Sequence, residues 1–165
     1  MIYSVTTNKR IQTLYQKKTC MKVLTYLINL DGSDARLERS AKQLDAIDWP
    51  YERFSAYDGR GKSLSDFEDY DDALARENLG RGLLNSEIGC YLSHYQCAEK
   101  FLETDADMLV VLEDDMKMAD SFKPIIDQTL AYLDTNPDLD WYLVNIAAKK
   151  KKLAKDITEF DEHTL

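Results

Sequence analysis

The aliphatic run Val110-Val111-Leu112 is followed at once by three acids, Glu113, Asp114 and Asp115. The carboxyl end of a strand borders the ligand crevice in an open α/β sheet, and these acids stand at such an end. If the backbone stays extended, Glu113 and Asp115 point to one side and Asp114 to the other. Two like charges on one side raise a pKa and cost stability unless a cation lies between them. A hard divalent ion, Mg²⁺ or Mn²⁺, shared with a bound diphosphate removes that cost. The plain alternative is that Asp114 or Asp115 caps the following turn and the others are solvated.

The elements that must position these acids follow from periodicity. Met108–Leu112 is the strongest central strand, and Val23–Leu30, β-branched and aromatic with little alternation, is a second strand covered on both faces. Ser33 is placed to cap a helix over Asp34–Ile47, with Leu37, Ala41, Leu44 and Ile47 on one face and Trp49-Pro50 as its stop. Tyr51–Tyr57 is a further strand, and Asp58-Gly59-Arg60-Gly61 must turn. Residues 62–82 are acidic without an apolar stripe and predict a mobile, solvated loop with a short helix. A helix starting at Asn85 or Ser86 runs to about Glu103, and its apolar positions nearly encircle it, which predicts burial on most sides. Ser121–Leu133 is another helix and Trp141–Ala147 a short strand. Strands alternating with helices give an α/β layered domain over residues 21–148, with residues 1–20 as an N-terminal extension and 149–165 as a basic-then-acidic tail.

Composition narrows the partners. Lys plus Arg number 21 against 30 Asp plus Glu, a net charge of −9, so a broad basic face for nucleic acid is missing. The longest aliphatic run, Met108–Leu112, is far below the roughly 20 apolar residues that span a bilayer, and the N-terminus has no secretory pattern. Cys20, Cys90 and Cys97 include no Cys-x-x-Cys pair, which predicts neither a disulfide framework nor a zinc cage and fits a reducing cytoplasm. Six glycines leave little material for a glycine-rich phosphate loop. Ala56-x-x-x-x-Gly61-Lys62-Ser63 fits a relaxed P-loop, but the segment before it is polar and the one after it acidic. A receiver-type reading of Val110–Asp115 fails because some fifty residues cannot supply the remaining elements of that fold.

Four blocks agree in order and spacing with a known family: Tyr26-Leu27-Ile28-Asn29-Leu30-Asp31-x-Ser33-x-x-Arg36, Phe54-x-Ala56-x-Asp58-Gly59, Ser86-Glu87-Ile88-Gly89-Cys90-Tyr91-Leu92-Ser93-His94 and Val111-Leu112-Glu113-Asp114-Asp115. Over about Met21 to Ala147 the chain resembles the family 25 glycosyltransferases of lipooligosaccharide and lipopolysaccharide biosynthesis. The resemblance implies a GT-A-like nucleotide-sugar-binding sheet with helices on both faces, and Mn²⁺ or Mg²⁺ as cofactor. It also implies inverting transfer of a hexose, most often galactose, from a UDP-sugar to a saccharide or lipid-linked acceptor. Members of the family continue past the point where this sequence stops, so the resemblance implies a domain incomplete at its C-terminus, without an assignable general base. The alternative is a non-catalytic nucleotide- or protein-binding α/β module.

Carried over by position, Asp115 would hold the metal against the diphosphate while Glu113 faces ribose or metal. Arg36 would pair with donor phosphate or stack on a base, or else be an exposed first-turn residue. Asn29 and Asp31, at the end of the first strand, would hydrogen-bond the nucleoside, although Asp31 can equally close the turn with Gly32. His94 would touch the donor, its commoner fate being a structural histidine bonded to a carbonyl. Glu87 suits the positive end of its helix, Gly89 allows close packing against the sheet, and Cys90 and Cys97 read as core fillers. Lys149–Lys152 is a solvated face or a contact to anionic headgroups at the inner face of the cytoplasmic membrane.

Overall fold

A computed structural model of the chain describes residues 4–7, 21–68, 70–136, 138–139, 143–146, 159–160 and 163–164. In chain order these form β1 (Ser4–Thr7), β2 (Val23–Asn29), α1 (Asp34–Asp45), β3 (Glu52–Ser55), a 3₁₀ turn at Leu64–Asp66, α2 (Asp72–Leu79), α3 (Asn85–Leu102), β4 (Met108–Glu113), α4 (Phe122–Thr135) and β5 (Leu143–Asn145). Two short strands, β6 (Glu159–Phe160) and β7 (His163–Thr164), pair antiparallel with each other. Lys149–Lys152, Cys20, and Trp141 and Ala147 at the ends of the expected last strand lie outside the described residues.

The main sheet has the order β3-β2-β4-β1-β5, with β4 at its centre. Strands β3, β2 and β4 are parallel, and β1 runs antiparallel to both β4 and β5. The expected α/β layering is therefore present. Ser4–Thr7, set apart from the domain by its polar sequence, nonetheless lies inside the sheet, because ladder hydrogen bonds come from the backbone whatever the side chain.

Alternation along the strands divides the core into two layers. Leu27 of β2 and Met108, Val110 and Leu112 of β4 face one side, where Leu44 of α1 and Phe122, Ile126 and Leu133 of α4 cover them. Tyr26 and Ile28 of β2 and Leu109 and Val111 of β4 face the other, against Cys97 and Phe101 of α3. Helices thus cover both faces. At about 1.5–3 kcal/mol per fully buried large apolar side chain, this double cover is the main stabilising term. Trp49 closes the first layer: its indole Nε1 donates to Thr25 Oγ1 at 2.9 Å and its ring meets Phe122 edge-on.

Three local expectations need correction. Helix α1 ends at Asp45, and the Ser33 hydroxyl makes no cap; the Ser33 carbonyl accepts from the Arg36 and Leu37 amides instead. Helix α3 buries one face only (Ile88, Gly89, Ser93, Cys97, Phe101), while Tyr91, Tyr95 and Leu102 are exposed, since a helix resting on one sheet has one neighbour. Gly89 packs against the Tyr57 carbonyl and Gly59 in the loop after β3, not against the sheet.

That loop is clamped to α3. The Tyr57 amide donates to Ser93 Oγ at 2.9 Å, and the Ser93 hydroxyl donates to the Gly89 carbonyl at 2.7 Å. A Cβ on Gly59 would fall 2.1 Å from the Asn85 carbonyl oxygen, a backbone atom with little room to yield. Gly59→Ala is accordingly expected to cost about 1–3 kcal/mol in urea unfolding, and an unchanged midpoint would show that the loop does not bear on α3.

Candidate functional site

The register Ile28↔Glu113 brings the carboxyl ends of β2 and β4 side by side. Glu113, on the same strand parity as Leu109 and Val111, points toward α3, and Asp114 points toward α1. There the backbone turns: the Met116 amide donates to the Glu113 carbonyl at 3.1 Å. Asp115 therefore leaves the extended path and is exposed, so the expected Glu113–Asp115 alternation ends at the turn.

Asp114 is 5% exposed and fully engaged. Its Oδ2 accepts from Asn29 Nδ2 at 2.7 Å, its Oδ1 lies 2.5 Å from Arg36 Nη2, and its carbonyl accepts from Ser40 Oγ at 2.8 Å. Asn29 is equally committed, since its Oδ1 accepts from Arg53 Nε at 3.0 Å and its Nδ2 also reaches the Ser33 carbonyl. The structure thus makes Asn29 a buried strut between β2, β3 and β4. Asp31 is exposed and bound by Arg53 and Ser55, contacts that hold its carboxyl below the usual carboxylate range.

On the α3 side His94 Nε2 lies 3.1 Å from Glu113 Oε1, and the Cys90 thiol is 4.0 Å from the same oxygen. Contact with the Cys90 sulfur and with the Glu113 carboxylate raises His94 to about 9, so the imidazole carries a proton at neutral pH. The same contact lowers Glu113. His94 is thus bonded to a carboxylate rather than to the neighbouring carbonyl expected of a structural histidine. Cys97 is fully buried, and burial pushes its thiol up to about 12, whereas Cys90 is exposed and not a core filler.

These residues line a cleft of about 230 Å³ closed by Ala56–Arg60, with Arg36, Cys90, His94, Glu113 and Asp114 in its walls. Arg60 is held over it by a bidentate pair with Asp58, whose carboxyl is thereby kept at about 2. Of the residues singled out in the sequence, Arg36, His94 and Glu113 are brought together; Asn29, Asp31 and Asp115 are not in the lining. Cys90, read as a core filler, Asp114, read as a possible turn cap, and Arg60, read as part of a turn, line it as well. The i, i+4 spacing of Cys90 and His94 is the sequence signal that identifies the first of these.

A family model described as glycosyltransferase family 25 (LPS biosynthesis protein) matches residues 22–162. The chain belongs to this family. It is 34% identical over 104 residues to a glycosyltransferase 25 family member of Anopheles gambiae, covering 59% of this chain and 17% of that one. It is 26% identical over 136 residues to procollagen galactosyltransferase 2 of Homo sapiens, covering 78% and 21%. A probable inactive glycosyltransferase 25 family member 3 of Rattus norvegicus is 30% identical over 114 residues, covering 69% and 19%. The chain thus spans about a fifth of the length of these relatives. No solved structure matches it.

Within this family 25 domain, Glu87 secures the helix that carries Cys90 and His94. Its carboxylate accepts from the Leu84 amide at 2.8 Å and from both Arg81 guanidinium nitrogens at 2.7 Å. The Arg81 pair first, then the Leu84 amide, hold it at about 2, well below its ordinary 4.5. A depressed carboxylate contributes its stability in full above the unfolded pKa and loses it as pH falls. Glu87→Gln is expected to be less stable than the parent chain at pH 7, the gap closing between pH 4.5 and 2 in pH-resolved urea melts.

Asp114→Ala removes the carboxylate acceptor of one buried Asn29 N–H and releases Arg36, whose side chain is 46% exposed. Because water can recover the guanidinium, the cost in chemical unfolding is expected to be about 1–3 kcal/mol rather than that of a fully buried broken pair.

Proposed function

We propose that this domain binds the nucleotide-sugar donor of a hexosyltransferase, taking part in the inverting transfer of galactose from UDP-galactose to a saccharide acceptor. The observation that carries the reading is the pair of cations, Arg36 and His94, fixed in one cleft at the carboxyl ends of β2 and β4 by the acids of a single strand end. A planar guanidinium and a protonated imidazole are donors suited to a diphosphate. The galactose assignment is supported by the names of the procollagen galactosyltransferase relatives.

Each cleft cation already has its own carboxylate, so a diphosphate would bring uncompensated negative charge. The exposed Asp115 and the neighbouring Glu113 offer hard carboxylate oxygens, a donor set compatible with Mg²⁺ or Mn²⁺, and would hold such an ion at the rim. When bound, it would neutralise charge developing on the leaving diphosphate. Arg36 and His94 would orient the phosphates, and the Ala56–Arg60 loop would limit water. An acceptor hydroxyl attacking opposite the diphosphate must lose its proton to a base.

A neighbouring cleft of about 470 Å³ shares Tyr57 and is lined by Phe67, Tyr70 and Tyr91 with Asp66 and Glu68. Aromatic faces take the apolar C–H face of a sugar ring while carboxylates accept from its hydroxyls, which supports this cleft as the acceptor side. The family description names LPS biosynthesis and supports a lipopolysaccharide-type saccharide as that acceptor. No helix among the described residues is long and apolar enough to cross a membrane.

The rat relative's description as probably inactive favours one second reading, a nucleotide-binding module without catalysis. Calorimetric titration with UDP, with and without Mn²⁺, tests the primary site: metal-dependent binding is expected, weakened about tenfold or more by Arg36→Ala and by Asp115→Ala. UDP failing to bind in either condition would remove the donor-binding reading. Release of UDP from UDP-galactose in the presence of a galactose acceptor separates the enzyme from the module.

A further inference from the structure

We propose that Cys90, His94 and Glu113 form a binding site for a zinc-type transition-metal ion, set apart from the Mg²⁺ or Mn²⁺ site proposed at Asp115 and Glu113 by its thiolate and imidazole donors, with Glu113 common to both. This inference stands on side-chain geometry and does not depend on the transferase reading.

Cys90 and His94 sit one helical turn apart on the same face of α3, and Glu113 ends β4 on the sheet face that α3 covers. The thiol sulfur, an imidazole nitrogen and a carboxylate oxygen lie within 4.8 Å of one another. The closer pairs are His94 Nε2 to Glu113 Oε1 at 3.1 Å and Cys90 Sγ to that oxygen at 4.0 Å. Bond lengths of about 2.0–2.3 Å to a tetrahedral zinc put its ligands roughly 3.3–3.8 Å apart, so the three donors need only small rotamer shifts to share one ion.

The chemical class follows from the donors. A thiolate with an imidazole selects zinc, cobalt(II) and related ions over Mg²⁺ and Mn²⁺, which prefer all-oxygen shells. Thiolate and carboxylate together balance a divalent charge, and the nearby Arg36 is already neutralised by Asp114. The His94 and Glu113 side chains are each 21% exposed, so the site is partly dried yet reachable from the cleft. With three protein ligands, a fourth position is left for water or a ligand oxygen.

Cobalt(II) titration of the chelator-treated chain reads this directly, because a cobalt–thiolate bond gives a near-ultraviolet charge-transfer band. The expected result is a saturable band at one equivalent, displaced by Zn²⁺ and unaffected by excess Mg²⁺. It should vanish in Cys90→Ser, persist in Cys97→Ser and in Cys20→Ser, and need about tenfold or more cobalt in His94→Ala and in Glu113→Gln. Cys90 is exposed, so its serine variant is expected to fold, and far-ultraviolet circular dichroism checks this. If Cys90→Ser does not fold, the titration is read on His94→Ala and Glu113→Gln alone. Absence of the band from the parent chain, its survival in folded Cys90→Ser, or unchanged cobalt affinity in the other two variants would overturn the assignment.

Discussion

A carboxylate withdrawn from water must be matched by donors, and Asp114 meets that demand with the Asn29 amide and the Arg36 guanidinium. These partners come from β2 and α1, while Asp114 itself follows β4. One charge therefore ties two strands and a helix together at the edge where a ligand would bind. Isolated, an ionised carboxyl so placed would be strongly unfavourable, whereas paired and hydrogen-bonded it specifies an arrangement. Arg36 shows the consequence: anchored at its inner side, it still presents about half of its side chain to the cleft.

The three consecutive acids meet three environments for two geometric reasons. Strand parity sends Glu113 to α3 and Asp114 to α1, because neighbouring residues on a strand face opposite ways. The turn closed by the Met116 amide then carries Asp115 out to solvent. A run of identical charge thus becomes an imidazole-bound acid, a buried strut and an exposed rim carboxylate, and mutual repulsion is relieved by separation as well as by partners.

The chain carries a net charge of −9, which at long range disfavours an anionic nucleotide. Screening reduces that objection: charges farther than about 8 Å are largely damped at physiological ionic strength. Inside the cleft the nearest groups decide, and these include Arg36, Arg60 and the protonated His94. Each is fixed by its own acid, so the cleft is pre-organised while remaining close to neutral. The proposed transfer would draw on such a cleft for orientation, with further neutralisation left to the proposed divalent ion.

How much of this was legible depends on the range of the forces involved. Buried parallel strands are apolar on both faces, so β2 and β4 stood out as continuous runs, and the helical spacing of α1 and α4 was equally plain. Glu113 pointed to the cleft because residues at strand ends converge there in any α/β sheet, whereas Arg36 and His94 were singled out by the resemblance to family 25. The burial of Asn29 and Asp114, the exposure of Cys90, the departure of Asp115 and the insertion of Ser4–Thr7 beside β4 were not legible. Each turns on which partner a hydrogen-bonding group or helix face meets across a long sequence separation. Local pattern determined which segments became strands and helices; the packing of α3 on one sheet face and α1 on the other decided which polar atoms met, since contact distance is set by tertiary register.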